Sequence, residues 1–143
     1  MKRYVLDASV AAKWFVRDPS EELAEEADTL LAEYARARAD LIVPDLFWPE
    51  IGSVLSKAAR QGRLSNRLAS KAISELLLQA LETVSSRNLL QPAFEMATQF
   101  ACSVYDCIYV ALAFESDRTF ITVDKRLVNA LGADLPVRWL GAL

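Results

Sequence analysis

Hydrophobic and polar positions follow two rhythms along this chain. RYVL at 3–6, LIVP at 41–44 and TFITV at 119–123 are short apolar runs rich in β-branched and aromatic residues, the signature of buried strands. TVSS at 83–86 and VRWL at 137–140 are weaker candidates. Helical spacing fills the intervals. In SEELAEEADTLLAEYARARA, Leu23, Ala27, Leu30, Leu31 and Tyr34 share one face, and acids crowd the first turns as the helix dipole favours. Two further helices flank RQGRLS, with Gly62 suited to a C′ position and Ser65 to an N-cap; Leu68, Ala72, Leu76 and Ala80 give the second its stripe. Together they predict a helical hairpin. SVYDCIYVALAFE, from Ser103 to Glu115, is apolar almost all round, which predicts a helix through the centre of the fold.

Strands separated by helices imply a parallel sheet covered on both faces, an α/β class. A length of 143 residues suits one domain spanning 1–143, and 53% hydrophobic with 24% charged residues describes an ordinary globular chain. Lys2 and Arg3 precede an apolar stretch as in a signal peptide, but Asp7 and Lys13 interrupt it. No run approaches membrane-spanning length, so the expectation is a cytoplasmic protein with no membrane partner. The four glycines are scattered and build no phosphate-cradling loop. Cys102 and Cys107, five apart on a helix, would face apart, so neither a disulfide nor a thiolate metal pair is expected. Histidine is absent, which removes Ser-His and Cys-His nucleophiles, histidine bases and histidine-ligated zinc.

Carboxylates remain as the candidate chemistry. Asp7 directly follows RYVL and Asp124 follows TFITV; if those strands are neighbours, both acids reach the crevice at the carboxyl ends of a parallel sheet. Thr122 and Ser9, each two residues from one of these acids, offer hydroxyls at the same rim. Asp106 opens the central helix, and Glu50 lies near the start of another, where Pro49 predicts a late start or a distorted first turn. All four acids stand near helix N-termini, where capping alone explains a carboxylate. SVYD even fits a capping box. Against that, Asp7 and Asp106 are embedded in apolar sequence. Converging acids need a proton or a cation, and an all-oxygen set selects Mg²⁺ or Mn²⁺, the ions of phosphodiester hydrolysis.

The blocks LDAS, PDLFWPEIGSVL, YDCIYVALA and FITVDKRL, in this order and spacing, resemble the PIN-domain ribonucleases, particularly the VapC-type toxins. The resemblance covers essentially the whole chain. It implies a three-layer α/β/α sandwich with a central, mostly parallel sheet and Mg²⁺- or Mn²⁺-dependent endonucleolytic cleavage of RNA. It places the family's acidic quartet on Asp7, Glu50, Asp106 and Asp124, as catalytic and metal-binding residues, with accessory hydroxyls on Ser9 and Thr122. It further implies a homodimer and a small VapB-type antitoxin whose basic side chain blocks the acidic pocket.

A net charge of −3 is awkward for an RNA enzyme, so the distribution of cations matters more than the sum. Lys125 and Arg126, next to Asp124, are the candidates for RNA phosphate; Lys57, Arg60, Arg63, Arg67 and Lys71 gather on the helical hairpin, as RNA contacts or as solubilising charge. Trp14, Phe15, Phe47 and Trp48 are core or, where exposed, a docking surface. Two other readings stand beside the nuclease: a non-catalytic interaction module, and a carboxylate-based phosphatase, which would want an acid where Ser9 stands.

Overall fold

The computed structural model describes residues 1–143. Strands β1 (Lys2–Leu6), β2 (Ala39–Pro44), β3 (Glu82–Val84), β4 (Thr119–Thr122) and β5 (Val137–Trp139) form one sheet in the order β3-β2-β1-β4-β5, parallel throughout. Each of the five runs expected from the sequence is a strand, the two weaker ones as the three-residue edges. In β1, Tyr4 pairs with Leu41 of β2 on one side and Thr119 of β4 on the other. Parallel neighbours need crossover connections, and helices supply them. These are α1 (Ala8–Ala12), α2 (Ala24–Ala35), α3 (Phe47–Arg60), α4 (Asn66–Leu78), α5 (Leu90–Phe100), α6 (Val104–Glu115) and α7 (Lys125–Leu131). The result is a three-layer α/β/α sandwich.

Val5, Leu6, Val43, Phe120 and Ile121 are closed to solvent at the middle of the sheet. Helix α6 runs through the centre, with every residue from Cys107 to Ala113 buried, which is why its sequence is apolar on all sides. The hairpin of α3 and α4 closes where the sequence indicates: Gly62 takes φ +72° just past the C-cap Gln61, and the Ser65 hydroxyl accepts from Leu68 N at 3.1 Å.

Several expectations change. Helix α3 begins at Phe47, so Pro49 falls in a first turn whose N–H groups need no intrahelical partner, and Glu50 N still reaches Leu46 O at 3.2 Å. The start is neither late nor broken. Leu23 stands before α2 as its N-cap with φ +61°, and α4 buries Ala69, Ala72 and Leu76 while Leu68 is exposed and Ala80 lies beyond the helix. Ser103 caps α6, which leaves Cys102 outside the helix after Ala101 at φ +54°; the helical offset does not apply, and the sulfurs of Cys102 and Cys107 meet as a disulfide pair. Helix α5, not anticipated, packs along α6. No single helix is long and apolar enough to cross a membrane.

Phe120, 1% exposed, stacks on Tyr109 with ring centroids 5.0 Å apart. Phe120→Ala is expected to remove about 3–5 kcal/mol of stability, whereas Leu68→Ala should stay within about 0.5 kcal/mol. Urea unfolding of the two variants checks the contrast.

Candidate active site at the carboxyl edge of the sheet

Strand β1 leads to β2 on one side and is flanked by β4 on the other, so the chain changes direction between β1 and β4. Open parallel sheets form their ligand crevice at such a point, beyond the carboxyl ends of the strands. Asp7 follows the last residue of β1; Thr122 ends β4, and Asp124 comes two residues later. The two strands are indeed neighbours. Thr122, wholly buried, donates its hydroxyl to Asp7 Oδ2 at 2.7 Å, and the Ser9 hydroxyl donates to the same oxygen at 2.7 Å. Thr122 Oγ1 also accepts from Asp124 N at 3.1 Å, so one hydroxyl ties both strand ends together.

Asp106 is the third residue of α6, its N–H bonded to Ser103 Oγ at 3.1 Å. Glu50 sits in the first turn of α3 and accepts a hydrogen bond of 2.6 Å at Oε1 from the Tyr109 hydroxyl. Tyr109 lies three residues beyond Asp106, on the same side of α6, and is buried. Sequence reasoning missed it. The available signal was a hydroxyl-bearing ring inside an otherwise apolar helix, since a buried tyrosine needs a partner for its O–H.

Burial is the first cause of an upward shift in the proton affinity of Asp7, Glu50 and Asp106. For Asp7 the hydroxyls of Thr122 and Ser9 oppose it, and the Asp106 charge adds to it. For Glu50 the Tyr109 hydroxyl opposes it while Asp7 and Asp106 add; for Asp106 the Ser103 hydroxyl opposes and Asp124 adds. Tyr109 is itself pushed far up, chiefly by burial and then by its bond to Glu50, so it remains a donor. Asp7, Glu50 and Asp106 are therefore within electrostatic reach of one another, and Asp124 within reach of Asp106.

Capping explains part of this arrangement. Asp124 Oδ1 accepts from Arg126 N at 3.0 Å and Leu127 N at 3.1 Å, a full cap for α7, and Asp7 caps α1 through a long contact of 3.5 Å to Ser9 N. Asp7 spends its other oxygen on the two hydroxyls. No three acidic side chains are placed close enough together in this structure to hold a cation. In donor chemistry the group fits a hard divalent ion, being all oxygen, mutually repelling and partly withdrawn from water.

Among the cations, the Lys125 ammonium lies over the Trp139 ring, 4.0 Å from its centroid, while Arg126 is exposed beside Asp124. Arg63 of the hairpin is held by Asp18 at 3.0 Å and by Glu21. Phe47 is core and meets Trp48 edge-on. Trp14 and Phe15 line a separate cavity of about 250 Å³ with Leu31, Tyr34 and Leu76.

A carboxyl whose proton affinity is higher folded than unfolded opposes folding once ionised; its contribution is complete at low pH and lost as pH rises through the folded value. From Asp7, Glu50 and Asp106 the protein in chelator should therefore gain stability as pH falls through their raised folded values toward the ordinary carboxylate range. Asp18 and Asp28, lowered by hydrogen bonds from Arg63 and Arg17, act oppositely and only below the ordinary carboxylate range. Asp7→Asn should raise the melting temperature in chelator near pH 7.5; a fall would show that Asp7 bears no desolvation strain. Tyr109→Phe keeps the ring stack but removes the donor to Glu50, and should lower stability by about 1–2 kcal/mol in urea unfolding.

With this geometry in place, comparison with known proteins is informative. The PIN domain family matches residues 4–131. Ribonuclease VapC3 of Pyrobaculum aerophilum is 33% identical over 133 residues, which are 92% of this chain and 96% of that one. The crystal structure of PAE2754 from Pyrobaculum aerophilum superposes with a TM-score of 0.70 at 20% identity, covering 99% of this chain and 85% of the other. A toxin-antitoxin complex from Klebsiella pneumoniae gives 0.63 at 12% identity over 94% and 95% of the two chains. The structural likenesses speak to fold. The family match includes all four acids and the VapC3 identity covers nearly the whole chain, and on that ground the chain belongs to the PIN-domain family, among its VapC-type members.

Proposed function

We propose that this protein is an endoribonuclease that hydrolyses RNA phosphodiester bonds with the help of Mg²⁺ or Mn²⁺ at its acidic edge, and that it is the toxin of a toxin-antitoxin pair. One observation carries the reading: Asp7, Glu50 and Asp106 come from three different elements, with Asp124 beside them, close enough that each feels a neighbour's charge. The identity with a ribonuclease over nearly the whole chain supports it. Crowded carboxylates at neutral pH call for a counter-charge. Asp7, Glu50 and Asp106 are the residues that would hold the ion, with Asp124 at its flank. A divalent cation there supplies an activated water and offsets charge on the phosphate.

The chain's own groups prepare the site. Ser9 and Thr122 fix the carboxylate of Asp7 in one orientation, and Tyr109 does the same for Glu50. With no histidine in the chain, proton transfer falls to carboxylates and water. Arg126 is the free cation for substrate phosphate, Lys125 being partly engaged by Trp139. A small VapB-type antitoxin is the proposed partner, supported by the shared fold with a toxin-antitoxin complex. A homodimer and a cytoplasmic setting complete the reading and rest on family resemblance.

A non-catalytic interaction module is the second reading, favoured by the capping bonds of Asp124. Incubation with an RNA panel and Mn²⁺ separates the two. The nuclease reading expects cleavage that chelator abolishes and that Asp106→Asn lowers by more than the roughly 10–100-fold loss typical of an outer-shell change. Cleavage that survives both treatments would sink it.

A further inference from the structure

We propose that the groove running from Ser9 along one face of α3 is the track for the single-stranded RNA backbone on one side of the scissile phosphate, and that Lys57 is its phosphate-binding residue. The inference rests on the ribonuclease reading of the acidic edge and assigns that site a substrate subsite.

The groove, about 370 Å³, is lined by Ser9, Lys13, Val54, Lys57, Gln61 and Arg63 among others. Two of its lining residues adjoin the acids: Ser9, whose hydroxyl holds Asp7, and Val123, which precedes Asp124. Helix α3 lines the groove with Val54, Lys57 and Gln61, and Glu50, one turn before Val54, continues the same helical face toward the acids. Lys57 stands seven residues beyond Glu50, about 10 Å along the helix axis. A strand whose phosphate sits among the acids would therefore pass Lys57 with a neighbouring phosphate.

Charge singles out Lys57 within the groove. Lys13 is tied to Glu21 at 2.9 Å and to Glu22 O at 2.6 Å, and Arg63 to Asp18 and Glu21. These pairs also pin Glu21, which itself lines the groove. Lys57 is exposed and makes no ion pair. An acidic edge repels a polyanion, so a strand needs an uncommitted cation close by, and an unpaired lysine releases a counterion on meeting phosphate.

The test is fluorescence anisotropy of a labelled oligouridylate of about 12 nucleotides, titrated across salt concentrations with full-length protein carrying Asp106→Asn to suppress cleavage. Circular dichroism checks the fold of each variant. Lys57→Ala is expected to weaken binding about three- to tenfold and to flatten the slope of log K against log salt by about 0.7, one single-strand phosphate contact. Lys57→Arg should keep both, Lys71→Ala on α4 should change neither, and Mn²⁺ binding measured by calorimetry should persist in Lys57→Ala with Asp106 intact. If the parent binds and the unaltered protein cuts RNA while Lys57→Ala leaves affinity and slope unchanged, the track is wrong and the ribonuclease reading stands. Should the unaltered protein neither bind nor cut RNA in Mn²⁺, both fall. If Lys57→Ala binds RNA as the parent does but loses affinity for polyglutamate, the groove serves an acidic protein and the proposal is overturned.

Discussion

The bond from the Thr122 hydroxyl to Asp7 is the joint on which the site turns. It exists only because β1 and β4 lie side by side with their carboxyl ends level, and that follows from the order β3-β2-β1-β4-β5. Any other neighbour for β1 would leave the half-buried Asp7 carboxylate with only its bonds from Ser9, a loss that burial makes costly. The joint also reaches Asp124 through its backbone N–H, so sheet geometry and the spacing of the acids are one constraint.

Helix α6 carries a second burden. Its body, from Cys107 to Ala113, is core, yet Asp106 opens it and Tyr109, one turn later, donates to Glu50 on α3. The stacked pair of Tyr109 and Phe120 thus joins hydrophobic packing to the orientation of a carboxylate. Packing and site chemistry share atoms here, so a substitution in this helix acts on both at once. Burial raises the proton affinity of Asp7, Glu50 and Asp106, so their ionisation works against the fold.

Much of this was legible in the sequence. The three inner strands announced themselves because buried parallel strands are continuous apolar runs, the two short edges were only weak candidates, and the capping residues Ser65 and Ser103 stood where hydroxyls meet exposed N–H groups. Asp7 and Asp124 could be placed at strand ends, but their adjacency could not, since strand order is a long-range property. Tyr109 was hidden for the same reason: its partner is 59 residues away. Leu23 and Leu68 misled because periodicity assigns a face without knowing where a helix begins or what covers it. The cysteine pair misled because a helical offset was applied to a residue outside the helix. Pro49 was harmless once the helix start was known.

The sheet ends on both sides in strands of only three residues, β3 and β5, and each presents a charged side chain, Glu82 and Arg138, to solvent. Few unpaired backbone groups are left for another molecule to template on, and charge discourages approach. A parallel sheet with long bare margins would invite fibrous stacking when copies accumulate; this one is blunt at both borders, so crowding need not lead to polymerisation.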